Sequence, residues 1–155
     1  MRVLLAALFF VATVACSTGG SSTGAGNNMR SDPCDYLSTS DFKTTLGLPL
    51  TGYRSGAACS YRDQRGNTCQ VTVASGTGLY EPSKTAAAKY GAVESLSAGD
   101  RGFYSAQPTA PGVWLFDFGL MKNGAFAGAL CGARFGTSNP RAQAAKLAGL
   151  IASRL

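Results

Sequence analysis

The groups that could do chemistry in this 155-residue chain are few: five cysteines, eight carboxylates, 14 Lys+Arg and no histidine. Without imidazole there is no Ser-His-Asp or Cys-His couple and no His-ligated zinc. Ser40-Asp41-Phe42-Lys43 sets a hydroxyl and an amine one helical turn apart, the S-x-x-K spacing of a lysine-activated serine nucleophile. No S-D-N accompanies it, and Lys84-Thr85 runs into Ala86 where Gly is needed. A short helix start accounts for these residues better than an active site. Trp114, Phe116 and Phe118 alternate along one segment and form a candidate ligand face, although aromatics at that period are commonly plain core. Asp117, between them, points the other way with Val113, Leu115 and Met121. It reads as an exposed or ion-paired strand carboxylate, with Asp100, Arg101 and Arg134 as candidate neighbours. The carboxylates show no metal-loop spacing, so neither a metal nor a cofactor is expected.

The compartment is written at the amino end. Val3 to Val14 is apolar apart from Thr13, behind a single charge at Arg2. Twelve helical residues reach only ~18 Å against a hydrocarbon core of ~30 Å. Residues 1–15 therefore read as a signal peptide rather than a spanning helix. Thr13-Val14-Ala15-Cys16 resembles the lipobox of bacterial lipoproteins, which implies cleavage before Cys16 and a diacylglycerol on its thiol. Two acyl chains would hold the protein on a membrane, where one is marginal. Residues 16–31 then form the lipidated cysteine and a Gly/Ser/Thr/Asn tether too polar to offset its ordering entropy, with an r.m.s. span of ~20 Å. The globular domain is expected over residues 32–155, a length that suits one core.

Cys34, Cys59, Cys69 and Cys131 remain. In an exported chain an even count reads as two disulfides, with three pairings open. Zinc and a redox dithiol are disfavoured by the lack of any Cys-x-x-Cys pair. Charged residues make up only 14% of the chain, and loss of Arg2 with the leader leaves a net charge near +5 from the full chain's +6. Arg54, Arg62 and Arg65 lie close in sequence and form a candidate basic tip for anionic phospholipid or wall polymer. Scattered solvated charge is the plainer account, and nucleic acid is not expected outside the membrane.

Several elements must position these groups. Asp32-Pro33 is a helix start, and Ser38 with Asp41 three residues on is a second one, with Leu37 and Phe42 at staple positions. Gly47 and Pro49 end that helix. Strands are expected at 50–54, 57–62 and 68–74, the last two joined through residues 63–67. Cys69, Val71 and Val73 share one face. Pro82 is expected to open a helix through Tyr90, extending to Leu96 and closed by Gly99. A strand at 101–106 and a loop at 107–112, around Pro108 and Pro111, follow.

Asn123-Gly124 is a strong hairpin turn. Folding Val113–Phe135 about it pairs Lys122 with Ala125 and sets Trp114, Phe116, Phe118 and Leu120 against Ala133, Cys131, Ala129 and Ala127. Large opposite small argues for a face packed under a helix. Asn139-Pro140 starts the last helix, with Ala144, Leu147, Ala148 and Ile151 inward, Leu150 widening the stripe, and Arg141, Lys146 and Arg154 wet. The fold class is α+β: an antiparallel sheet of about six strands packed by helices, in the order α-β-β-β-α-β-β-β-α.

Asp32-Pro33-Cys34-Asp35-Tyr36-Leu37-Ser38, then Asp41-Phe42 and Leu46-Gly47, resembles the opening of the actinobacterial lipoprotein family known as domain of unknown function 3558. Cys59-Ser60-Tyr61 is similar to that family's second cysteine followed by an aromatic, with Tyr where Trp is commoner. The resemblance implies a Cys34–Cys59 bond, which leaves Cys69–Cys131. Strand parity agrees, since both of these point inward with Val71 and Phe116. The main rival is a Cys59–Cys69 hairpin staple. The order of elements is also similar to Mog1/PsbP-like domains, mostly binding or assembly modules, by fold analogy alone. The S-x-x-K spacing is that of serine β-lactamases and penicillin-binding proteins, but the chain is too short for their fold.

The expected function is that of a lipid-anchored protein on the extracytoplasmic face of the cell membrane, binding a lipid-like or small apolar ligand without catalysis. The alternatives are a protein-interaction module of an envelope complex and, least favoured, an enzyme using Ser40 and Lys43. Composition leaves oligomeric state open.

Overall fold

Local signals build the amino-terminal third. The Asp32 carboxylate accepts from the Cys34 amide and starts a 3-10 turn, Pro33–Tyr36. Ser38 and Asp41 exchange side-chain and backbone hydrogen bonds in a capping box that starts α1, Thr39–Leu46. Gly47 ends α1 in the left-handed conformation at φ 71°. The computed structural model describes residues 29–134 and 140–155. The leader, Cys16, the tether through residue 28, and Phe135 to Asn139 lie outside the described residues. Just before Asp32, Met29 packs against the core and the Arg30 amide donates to the Tyr36 hydroxyl.

The strands are β1 Thr51–Ser55, β2 Ala58–Arg62, β3 Thr68–Ser75, β4 Glu94–Ser95, β5 Arg101–Ala110, β6 Val113–Lys122 and β7 Ala125–Arg134. They form one antiparallel sheet in the order β1-β2-β3-β7-β6-β5-β4. Two meanders thus meet where β7 pairs with β3, and α2, Tyr80–Ala87, carries the chain from one to the other. The Asn123-Gly124 turn has both residues at positive φ, 51° and 74°, and gives the β6–β7 register expected from the sequence.

Three expectations differ from the structure. The middle helix begins two residues before Pro82 and ends by Tyr90, since Gly91 adopts φ 131° and the chain turns into the short edge strand β4. Leu96 is buried beyond that strand, and Gly99 shapes the turn before β5 instead of closing a helix. That strand raises the sheet to seven. β5 also runs on to Ala110 in place of the expected loop at 107–112. β4 covers only Phe103 and Tyr104, so the outer side of β5 is open at Pro108, where a missing N–H costs no ladder bond.

One face of the sheet is sealed. Phe116, Phe118 and Leu120 pack with Cys69, Val71 and Cys131 beneath α3, Arg141–Arg154, whose Ala144, Leu147, Ala148 and Ile151 are fully buried. The disulfides Cys34–Cys59 and Cys69–Cys131 both lie in this layer. Arg154 is not on the wet side. It donates to the Tyr36 carbonyl at 2.6 Å and forks onto Asp41 at 2.7 and 3.0 Å, tying α3 to α1.

Candidate functional site

The opposite face has a different composition. A ladder row runs straight across it: Tyr53, Ser60, Gln70, Leu130, Asp117 and Ser105 stand side by side on β1, β2, β3, β7, β6 and β5. The neighbouring row contains Thr72, Gly128 and Gly119. Small and polar residues of this kind cannot build a core, and α2 covers only one end of the face. There Tyr80 and Ala87 pack on Phe103, Met121 and Phe126.

Between α2 and the middle of the sheet lies a cleft of about 250 Å³. Leu79, Ala86, Phe126 and Leu130 give it apolar walls, while Gln70, Thr72, Ser83, Tyr90 and Asp117 supply polar groups. Gly128 lies in the wall, and a side chain there would meet the Phe126 ring at 2.9 Å. Such a mixture of apolar lining and a few convergent polar groups is characteristic of small-ligand sites, though most are somewhat larger, about 300–1,000 Å³.

Asp117 is the unusual group. Burial pushes its carboxyl up to about 7, and only the Phe118 amide pulls the other way. None of the expected neighbours neutralises it. Arg101 pairs with Glu81 and stacks on Tyr80, the Asp100 carboxylate accepts from the Asn123 amide, and Arg134 lies level with Val113, four rungs away. Directly across the ladder, Ser105 is fully buried and its hydroxyl has no hydrogen-bond partner. A half-buried carboxylate and a buried, unpartnered hydroxyl thus stand at paired positions on adjacent strands.

The candidate ligand face named from sequence is corrected. Phe116 and Phe118 have no exposed surface and Trp114 is half-buried at the margin of the same core. α3 closes over these aromatics because the alanines opposite them leave room for it to approach. Cys16 lies outside the described residues. Ser40 and Lys43 stand exposed on α1, while Asp41 between them is occupied by the cap and by Arg154. Arg62 stacks over Tyr53 at 4.9 Å and, with Arg65, borders an open groove. Arg54 bonds locally to the Gly56 carbonyl.

Among the described residues no group of three or more Asp, Glu or Cys could hold a metal, and no helix is long and apolar enough to cross a membrane. Comparison with protein-family models, curated proteins and solved structures found no match.

The sequence put Asp117 on the correct face but not in a cleft. Gln70 and Thr72, which line the same cleft, come from β3, whose pairing with β7 spans about sixty residues of chain and leaves no local signal.

Proposed function

We propose that this chain is an envelope lipoprotein, anchored through Cys16 and acting without catalysis, whose domain binds a small, largely apolar ligand in the cleft between α2 and the sheet. The observation that carries this reading is the cleft itself: apolar walls converging on a half-buried carboxylate with no lysine or arginine among the described residues that line it. The anchoring half of the proposal rests on the lipobox-like Thr13-Val14-Ala15-Cys16 and the polar stretch behind it. The disulfide pairs suit an oxidising compartment. The aromatic face no longer supports a ligand.

Protein interaction is the second reading. It has in its favour the edge strand β1, exposed at all five residues and unpaired on its outer side.

One experiment separates the two. The protein is purified from membranes, and small molecules extracted from it are compared by mass spectrometry with those from a Ser83→Trp variant, which fills the cleft. The cleft reading expects a molecule carried by the native protein and missing from the variant. Identical extracts would leave β1 as the better-supported surface.

A further inference from the structure

We propose that the cleft takes a cationic amine carried on a small apolar body, with the ammonium group set against the Asp117 carboxylate. This rests on the cleft reading and narrows it to a ligand class.

The argument is one of charge and of what is absent from the walls. Among the described residues that line the cleft, Asp117 carries the one carboxylate and there is no lysine or arginine. Tyr90 is the other titratable group on the wall. From α2, Glu81 turns to Arg101 and Lys84 is exposed, and in the 3-10 turn after it Lys89 is exposed; neither lysine lines the cleft. From β5, only the Ser105 hydroxyl stands opposite. An anionic ligand would therefore meet a like charge, and a neutral one would cover the half-buried carboxylate without compensating its charge. An ammonium removes that cost, while Gln70, Thr72 and Ser83 elsewhere on the wall offer oxygens to other polar groups of the ligand. The rest of the ligand meets Leu79, Ala86, Phe126 and Leu130, which calls for an apolar body. The volume, about 250 Å³, limits that body to roughly the size of one substituted ring.

The test uses three isosteric probes on the full, oxidised chain: benzylamine, benzyl alcohol and benzoate, followed by amide chemical shifts in the cleft. At about pH 8 the amine should bind at least about tenfold more tightly than the alcohol, and benzoate most weakly. The amine stays protonated between about pH 5 and 8, so its affinity should fall by up to about tenfold per unit as pH drops below the Asp117 value. The alcohol should show no such fall. Asp117→Asn should reduce the amine to the level of the alcohol and flatten its pH profile. If that variant does not fold, the native pH profile decides alone.

Equal affinity of amine and alcohol at about pH 8, tighter benzoate, or a full amine preference in a folded Asn variant would overturn the amine assignment and leave the cleft standing. Absence of cleft shifts with all three probes would remove the cleft reading itself.

Discussion

The two faces of this sheet solve opposite problems. The sealed face carries Phe116, Phe118, Leu120 and Val71, is roofed by α1 and α3, and is fastened by two disulfides and the Arg154–Asp41 fork. The other face carries Ser60, Gln70, Thr72, Asp117 and Ser105, and among the described residues α2 and the turn after it lie above part of it. α2 begins without a side-chain cap, whereas α1 has a full capping box. One face supplies the stability that the other forgoes. A cleft lined by a half-buried carboxylate is tolerated where the scaffold is secured elsewhere.

Truncation is the sharpest way to break the comparison. Phe118→Ala removes a fully buried ring from the sealed face and should cost about 3–5 kcal/mol in denaturant unfolding. Leu115→Ala, half-buried on the open face, should cost about 1 kcal/mol. Equal losses would show that the two faces share the load.

Removing the Cys34–Cys59 bond with a double Ser substitution releases a loop spanning 25 residues and should cost about 3 kcal/mol. The loss should be accompanied by faster amide exchange over Pro33–Tyr36, and unchanged exchange in α2.

The pH dependences should have opposite signs. The Asp117 carboxyl is raised by burial, so the folded protein holds a proton that the unfolded chain releases near pH 4. Its contribution therefore declines as pH rises from about 4 through 7. Asp117→Asn should accordingly raise stability at about pH 8 by roughly 2 kcal/mol, with little change near pH 4. Asp41 is held down to about 2 by the Arg154 side chain above all, with the Ser38 amide and hydroxyl adding to the effect. Its contribution is present above about pH 4 and is lost as pH falls through about 2. Asp41→Asn should lower neutral-pH stability by about 1–2 kcal/mol, a figure reduced because the Arg154 side chain remains 25% exposed. Thermal midpoints measured across pH would check both, and a native Asp117 slope of the same sign as that of Asp41 would end the account of an uncompensated carboxylate.

Much of this was legible from residue order because it depends on contacts within a few positions. The Ser38–Asp41 box, the Gly47 stop and the Asn123-Gly124 turn are local events, and the turn alone fixes the register that sets Phe116 against Cys131 and Phe118 against Ala129. Even the inward parity of Cys69 and Cys131 follows from a two-residue period. Where the reading failed, distant chain intervened: the short β4 depends on β5 for its partner, and Arg154 looked wet until Asp41 came within reach across 113 residues.

The sequence by itself determined six of the seven strands, the hairpins and which side chains share a face, since periodicity and turn chemistry are properties of neighbouring residues. Only the tertiary structure decided which face would be closed. That outcome turned on where α2 and α3 came to rest on either side of β6, and on the β3–β7 pairing that brought Gln70 and Thr72 into the same cleft as Asp117. Packing of this kind is a sum over contacts far apart in the chain, and no window of residues contains it.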